Sequence, residues 1–323
     1  MKILKFGGSS VGTSEAIGLL PEIVKKSIAT GEQPLAVCSA MSGVTDLLVQ
    51  LSQTASRGND TTEAFWQLRE KHLQVVEAYF CETQGVWKQL EQFFTELQFV
   101  LGGIAALHEC SARTLDRVMA FGEQLSCSLV SAILQEKGVV TVYADARKLI
   151  ATDNHFGKAK VNEAVTNERI RLWHSGLGEK TAVVTGFIAS DAQGDTTTLG
   201  RGGSDFTAAL FGAALAADEI QIWTDVDGFM TADPRWVSNA FNLHSMSYKE
   251  AMELSYFGAK VIHPPTLIPA ITAKIPISIR NTFRSEHKGT TIQSNAVGNG
   301  HLIKGISSIR NVSLINVEGS GMV

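Results

Sequence analysis

Two glycine-rich loops carry the residue types that bind phosphate groups. The first is Lys5-Phe6-Gly7-Gly8-Ser9-Ser10-Val11-Gly12, which follows a short apolar run and precedes a helical pattern. A strand that turns on Gly-Gly into a helix leaves backbone N–H groups unpaired, and such amides attract anions. Lys5 adds a full positive charge. An ordinary strand–helix turn, in which glycine only supplies unusual backbone angles, explains this loop about equally well.

The second loop is Gly200-Arg201-Gly202-Gly203-Ser204-Asp205, which again joins a β element to a helix. Arg201 offers a planar fork for a carboxylate or phosphate. Ser204 and Asp205 stand where a helix-capping residue would, and capping alone is the structural alternative for Asp205. The first loop matches neither the P-loop pattern nor G-x-G-x-x-G, so any ligand that it binds is held with a different spacing.

A third polar segment, Thr224-Asp225-Val226-Asp227-Gly228, follows a predicted strand and carries two carboxylates. These could hold Mg²⁺ through water or position a ribose, although an Asx-type turn ending at Gly228 explains them too. Further cations follow at Arg235 and Lys260. Cations that converge on a glycine-lined cleft are what phosphoryl transfer requires, because negative charge spreads over the transferred group.

Glu123 is an unusual carboxylate, because it lies among apolar neighbours in a helix predicted from about Ser111 to Lys137. Gly122, beside it, is a poor helix residue. Glu123 belongs either to a solvated helix face or to a pocket. The spacing alone slightly favours the solvated face.

Strands alternate with helices along most of the chain, which predicts an α/β protein with a mostly parallel sheet covered on both faces. The first helix is expected at 14–29, with Ser14 as its cap. A hairpin is predicted around the turn at 191–194, and a linker at 288–305. Residues 59–136 carry only helical patterns, predicting an antiparallel helical hairpin and a further helix. This insertion could be a lid or an oligomer surface, but simple packing is favoured.

The composition excludes several classes of protein. The chain has 323 residues, 44% of them hydrophobic, and a formal charge of −4. Nucleic-acid and membrane partners are therefore disfavoured. The four cysteines are scattered without a C-x-x-C pair, which argues against a structural zinc site or a disulfide framework and favours a cytoplasmic protein.

Taken together, the motifs resemble those of the aspartate kinases. Lys5 to Val11, Ser39 to Thr45, Phe121-Gly122-Glu123 and Thr198 to Asp205 match in the family's order, and the later motifs are Trp223 to Gly228, Ala232 to Arg235 and Phe257 to Pro264. The resemblance implies the amino-acid kinase fold, a three-layer αβα sandwich. It also implies transfer of the ATP γ-phosphate to the side-chain carboxylate of L-aspartate, giving 4-phospho-L-aspartate for lysine, threonine and methionine synthesis.

The resemblance also assigns roles to residues, with ATP and Mg²⁺ as cofactors. Lys5 would stabilise the transferring phosphoryl group, and Asp205 would organise the active site. The phosphate loop would be Gly7, Gly8 and Ser9. Aspartate would be bound by Thr45, Glu123, Arg201 and Ser204. The nucleotide would be bound by Thr224, Asp225, Met230, Arg235 and Lys260.

Two of these positions depart from the family pattern. Ser9 stands where the family often has threonine. Met230 stands where the family often has tyrosine, with Phe229 just before it. The contact on the adenine side is therefore the position where this chain is expected to differ.

The resemblance predicts residues 1–305 as the catalytic domain, with 59–136 as an insertion, and 306–323 as the start of a truncated ACT regulatory domain. The Asp-Val-Asp-Gly form is most similar to bifunctional aspartate kinase–homoserine dehydrogenases. The full-length protein is expected to be a homo-oligomer. The alternatives are a glutamate or acetylglutamate kinase and a non-catalytic module that senses an amino acid. A nicotinamide dehydrogenase is disfavoured, because no G-x-G-x-x-G follows the first strand.

Overall fold

The protein is a layered α/β structure, seen here in a computed structural model that describes residues 1–258, 261–294, 303–309 and 313. The strands are β1 Lys2–Phe6, β2 Pro34–Cys38, β3 Thr141–Ala144, β4 Thr181–Thr185, β5 Ile188–Ser190, β6 Thr196–Thr198, β7 Glu219–Thr224, β8 Ser245–Ser247, β9 Ile277–Asn281 and β10 Thr290–Gln293. The helices are α1 Ser14–Ile17, α2 Leu20–Ala29, α3 Val44–Ser56, α4 Thr62–Tyr79, α5 Gln84–Leu107, α6 Ala112–Glu136, α7 Glu163–Ser175, α8 Gly203–Leu215, α9 Tyr248–Tyr256 and α10 Ile268–Thr272.

Eight strands form the central sheet in the order β3-β4-β2-β1-β7-β9-β10-β8. The first six run parallel, β10 is antiparallel to β9, and β8 is parallel to β10. β5 and β6 form a separate antiparallel hairpin. The mostly parallel sheet and the hairpin at 191–194 are therefore as predicted from the sequence.

Two apolar cores cover the two faces of the sheet. Every residue of β2 and of β4 is buried, as expected for central parallel strands. Along β1, Ile3 belongs to the core shared with α7, α8 and α10, whereas Leu4 and Phe6 belong to the core shared with α2 to α6. This alternation follows from the two-residue period of a strand. It places the side chain of Lys5 on the same face as Ile3, toward α8.

The predicted helical insertion is confirmed as α4, α5 and α6. α6 begins after Ser111, whose hydroxyl accepts a hydrogen bond from the amide of Thr114 at 3.2 Å. Among the described residues, α6 is the one helix long and apolar enough to cross a membrane, but 78% of that window is buried inside the fold. It is a core helix that packs against the sheet and, through its first half, borders the loops that follow β2 and β6.

The structure differs from the sequence-based elements in three places. The first helix is two helices, α1 and α2, because Pro21 starts α2 without an N–H to continue α1, and Thr13 rather than Ser14 caps α1. The apolar run 181–188 has the pattern of one continuous strand, but β4 ends at Thr185, since Phe187 has a φ of 66°. Part of the predicted linker 288–305 is β10, which pairs with both β9 and β8.

Candidate active site

Lys5 and Asp205 form an ion pair at the carboxyl end of β1. Lys5 Nζ lies 2.6 Å from Asp205 Oδ1, and the two side chains are only 11% and 12% exposed. α8 is preceded by Gly202 as its N-cap, in the left-handed conformation with a φ of 73°, and no side chain caps it. Asp205 is the third residue of α8, and its carboxylate faces Lys5 instead of capping the helix. The capping interpretation of Asp205 is therefore wrong.

The Gly7-Gly8 turn brings the chain close to its neighbours. The Gly7 amide donates to the carbonyl of Trp223 at 3.0 Å, and neither Gly7 nor Gly8 has a positive φ. A Cβ on Gly7 would lie 3.3 Å from Lys5 Nζ, and one on Gly8 would lie 3.3 Å from the carbonyl oxygen of Ala40. A side chain at either position would crowd its neighbours. Since neither glycine has a positive φ, the interpretation as a turn with unusual backbone angles is wrong.

Glu123 lies in a pocket and not on a solvated face. Glu123 is only 3% exposed, and its Oε1 accepts a hydrogen bond from the Ala40 amide at 3.1 Å. The other oxygen, Oε2, is buried without a hydrogen-bond partner among the described residues. Burial raises the pKa of this carboxyl to about 8, because removing a carboxylate from water disfavours its charged form.

Gly122 allows α6 to approach the loop after β2. A Cβ at this position would lie 2.8 Å from Ala40 Cβ and 3.3 Å from Leu48 Cδ1. The residue that is poor for helix formation is therefore the one that lets Glu123 reach the Ala40 amide.

A cavity of about 510 Å³ brings seven of the predicted residues together. They are Lys5, Gly8, Thr45, Glu123, Arg201, Ser204 and Asp205. Arg201 is exposed at its mouth, whereas Glu123 lies buried in its wall. A guanidinium group and a carboxyl group that line the same small polar cavity suit a zwitterion with an additional carboxylate.

Phe187 lines the same cavity and was not singled out from the sequence. Its φ of 66° is an outlier for a bulky residue and is held by two hydrogen bonds. Its amide donates to the Thr207 hydroxyl at 3.1 Å, and its carbonyl accepts from the Leu199 amide at 2.9 Å. No sequence pattern signals this conformation, because the bonds that hold it come from the hairpin and from α8.

A second cavity, of about 680 Å³, contains Asp225, Met230 and Arg235 of the predicted residues. Arg235 Nη2 lies 2.6 Å from Asp233 Oδ2. Lys260 lies outside the described residues. Three predicted residues line neither cavity: Gly7, Ser9 and Thr224. The hydrogen bond from Gly7 to Trp223 places the glycine turn beside the end of β7, where Thr224 lies.

Two side chains of this region have structural tasks that the sequence did not reveal. Asp227 accepts a hydrogen bond from Asn281 Nδ2 at 2.8 Å and pairs with Arg284, so its carboxylate holds β9 and the turn after it. Phe229 is 1% exposed and packs in the core. Met230 is therefore the side chain that faces the second cavity at the position where the pattern departs from the family.

Within the part of the chain that the structure describes, no group of three or more His, Cys, Asp or Glu residues could enclose a metal ion. Mg²⁺ usually keeps several waters and binds through one or two carboxylates together with substrate phosphates. Asp225, at the second cavity, is a carboxylate of this kind.

Comparison with known proteins places the chain in one family. The model of the "Amino acid kinase family" matches residues 1–281. The chain is 37% identical to "Bifunctional aspartokinase/homoserine dehydrogenase 1, chloroplastic" of Zea mays over 98% of this chain and 35% of that protein. It is 35% identical to "Lysine-sensitive aspartokinase 3" of Escherichia coli over 99% of this chain and 70% of that protein.

A solved structure agrees with these matches. The crystal structure of E. coli aspartokinase III in complex with aspartate and ADP superposes with a TM-score of 0.85 and 33% identity, covering 94% of this chain and 67% of that one. The chain spans only about a third of the length of the plant relatives it matches.

Proposed function

The chain belongs to the amino acid kinase family, and we propose that it transfers the γ-phosphate of ATP to the side-chain carboxylate of L-aspartate, giving 4-phospho-L-aspartate. The observation that carries this proposal is the first cavity, in which the Lys5–Asp205 ion pair lies together with Glu123 and Arg201. The similarity to aspartokinases of both the single-function and the bifunctional type supports aspartate as the acceptor.

Aspartate fits the charges of the first cavity. The buried Oε2 of Glu123 has no partner among the described residues, and the ammonium group of the substrate would supply one. Arg201 would bind a carboxylate through its planar fork. The hydroxyls of Thr45 and Ser204 line the same space and would complete the hydrogen bonding. An acceptor with one amino group and two carboxylates satisfies all of these groups.

The reaction itself needs positioning and positive charge. An oxygen of the aspartate side-chain carboxylate attacks the γ-phosphorus, the bond from the γ-phosphorus to the bridging oxygen breaks, and ADP leaves with that electron pair. The attacking carboxylate is already ionised at neutral pH, so no general base is required. Lys5 would stabilise the charge that spreads over the transferring group, and Asp205 would hold the Lys5 ammonium in place.

The nucleotide would occupy the second cavity, with its phosphates directed along the Gly7-Gly8-Ser9 turn. Asp225, Arg235 and the main chain at Thr224 would contact it, and Met230 would replace an aromatic contact with a flexible apolar one. Lys260 keeps its predicted nucleotide role as a proposal, and it lies outside the described residues. Mg²⁺, when bound to the phosphates, would neutralise negative charge on ATP, and Asp225 is the carboxylate proposed to hold it through water.

The two alternatives are weaker. A glutamate or acetylglutamate kinase would need a longer cavity, or one without a carboxylate facing the amino group. A sensing module without turnover would not need the Lys5–Asp205 pair, which the structure retains in a largely buried position.

The direct test gives purified protein Mg-ATP and L-aspartate and traps the acyl phosphate with hydroxylamine. We expect much more hydroxamate with aspartate than with glutamate or acetylglutamate. A folded protein that binds both ATP and aspartate in calorimetry but forms no hydroxamate would support the sensing module. Hydroxamate with another acceptor but not with aspartate would overturn the proposed substrate.

The division into a catalytic domain at 1–305 and the start of an ACT domain at 306–323 stays a proposal, and most of 310–323 lies outside the described residues. Ile306 donates its amide to the carbonyl of Thr231 at 2.8 Å, and 306–308 line the second cavity. The segment after 305 therefore contacts the catalytic part directly. A homo-oligomeric full-length protein and a cytoplasmic location also remain proposals.

A further inference from the structure

Asp116 is a buried carboxylate on α6 that holds two loops of the first cavity. It is 1% exposed. Its Oδ2 accepts hydrogen bonds from the backbone amides of Gly157 and Thr198, each at 2.8 Å, and its Oδ1 accepts from the Thr198 hydroxyl at 2.9 Å. Three donors thus converge on one carboxyl group, which offsets the cost of burying it.

The position of Asp116 relates the two ends of the cavity. Gly157 and Thr198 both line the cavity, and Thr198 is the last residue of β6, three positions before Arg201. Asp116 and Glu123 are seven residues apart, so their side chains leave the same face of α6, about 10 Å apart along its axis. One helix therefore carries Glu123 and also anchors the loop that carries Arg201.

The two anchored loops also touch each other. Gly200 has a φ of 74°, and a Cβ there would lie 3.4 Å from the carbonyl oxygen of Gly157 and 3.3 Å from Lys158 Cγ. The backbone that leads to Arg201 therefore rests on the loop that Asp116 holds through Gly157. Asp116 therefore supports the backbone that leads to Arg201 directly through Thr198 and indirectly through Gly157.

We propose that Asp116 is a positioning residue that sets the separation of Glu123 and Arg201 and so makes the site selective for aspartate over glutamate. This inference rests on the proposed function of the first cavity. Aspartate and glutamate differ by one methylene group, and discrimination of that size requires groups held at a fixed separation. A loop free to move outward would admit the longer substrate.

Two substitutions of Asp116 differ in the hydrogen bonds that they can keep. An asparagine at 116 can place its Oδ1 where both amides donate, and its NH₂ can donate to the Thr198 hydroxyl, which then acts as an acceptor. Asp116→Asn therefore keeps all three hydrogen bonds, whereas Asp116→Ala keeps none. The contrast separates geometry from charge at the same position.

The experiment measures steady-state kinetics with aspartate, glutamate and ATP for wild type, Asp116→Asn and Asp116→Ala. For Asp116→Ala we expect the KM for aspartate to rise at least about tenfold and the preference for aspartate over glutamate in kcat/KM to fall, with the KM for ATP unchanged. For Asp116→Asn, the KM values and the preference for aspartate should stay within about twofold of wild type.

Arg113→Ala is the matched control. Arg113 lies on the same helix, and its exposed side chain pairs with Asp195 of the same hairpin at 3.0 Å. Exposed ion pairs contribute little, so this variant should keep the wild-type kinetics. If Asp116→Ala does not fold, Thr198→Val, which removes one donor, should lower the preference for aspartate more mildly.

Equal rises in the KM values for aspartate and ATP, or an unchanged preference for aspartate in the folded variants, would overturn the inference. Failure of the proposed function is recognised separately, because wild type would then form no hydroxamate with aspartate. In that case, hydrogen exchange tests, without any turnover, whether Asp116 holds the backbone at Gly157 and Thr198. The amides of Gly157 and Thr198 should exchange faster in Asp116→Ala than in Asp116→Asn, and equal exchange would refute the anchor.

Discussion

Lys5 Nζ lies 2.6 Å from the carboxylate oxygen Oδ1 of Asp205. The lysine near the end of β1 is therefore held by a residue in the first turn of α8. The pair is mostly buried, which excludes the screening that weakens ion pairs on a protein surface. It places a fixed ammonium group beside the glycine turn, where the proposed reaction develops negative charge.

Replacing Lys5 should therefore affect turnover more than binding. We expect Lys5→Ala to lower kcat by about 10²- to 10³-fold, since removing one preorganised donor has effects of that size. The KM for aspartate should change little, because the charge of Lys5 matters mainly in the transition state. Steady-state kinetics with the hydroxylamine trap measures both constants.

Lys2→Ala is the control for this prediction. Lys2 lies on the same strand, but its ammonium pairs with Glu32 at 2.9 Å, away from both cavities. The control should keep the wild-type kcat. A weaker binding of aspartate with an unchanged kcat in Lys5→Ala would contradict the role of Lys5.

The buried carboxyl of Glu123 should make stability depend on pH. Its pKa is raised to about 8 in the folded protein, against an ordinary value of 4.5. Between these values the unfolded chain binds fewer protons than the folded one at this group, so its contribution to stability falls as the pH rises. Glu123→Gln should therefore be more stable than wild type at pH 9, by on the order of a few kcal/mol, with no difference near pH 4.

Urea unfolding at pH 4, 7 and 9 tests this prediction. Glu136→Gln, at an exposed position of the same helix, should follow the wild-type profile at all three pH values. A constant difference between wild type and Glu123→Gln across the range would show that Glu123 does not titrate in this window.

His72 should have the opposite effect on acid stability. It is fully buried on α4, its Nδ1 donates to the carbonyl of Leu68 at 2.8 Å, and burial lowers its pKa to about 4. Between pH 6.5 and 4 the unfolded chain binds more protons at this group, so stability is lost as the pH falls. In urea unfolding, the free energy of unfolding of His72→Met should fall less than that of wild type between pH 6.5 and 4. From pH 7 to 9 the two proteins should show the same dependence on pH. An identical acid slope in the two proteins would refute the prediction.

Gly122→Ala should disturb the site through packing. The added Cβ would lie 2.8 Å from Ala40 Cβ, and the Ala40 amide donates to Glu123. We expect a loss of about 1–3 kcal/mol of unfolding free energy together with a higher KM for aspartate. In α5, Gly102→Ala meets nothing within 4 Å and should be neutral or stabilising by up to about 1 kcal/mol. Equal effects of the two substitutions would show that the contact with Ala40 is unimportant.

Residue type and spacing predict most of the fold, whereas the resemblance to a known family supplied most of the predicted residues that line the first cavity. The alternation of strands and helices predicted the mostly parallel sheet, because parallel strands are buried on both faces and their connections must be helical. The glycine loops marked the ends of β1 and β6, and the cations beside them are in or near the two cavities. The boundaries were less certain, since Pro21 and Phe187 interrupt elements that a pattern alone continues.

Only the tertiary structure decided what several of these residues do. By its position in the sequence, Asp205 resembles a helix cap, but α8 begins at Gly203 and the Asp205 carboxylate faces Lys5. Glu123 resembles a surface residue, but the loop after β2 packs over it and the Ala40 amide donates to it. The glycine at 122 is required by an atom far along the chain, the Cβ of Ala40, and not by its own backbone angles. Periodicity along a sequence reports which face of an element is apolar, whereas the burial of a charge and its partner depend on packing between distant segments.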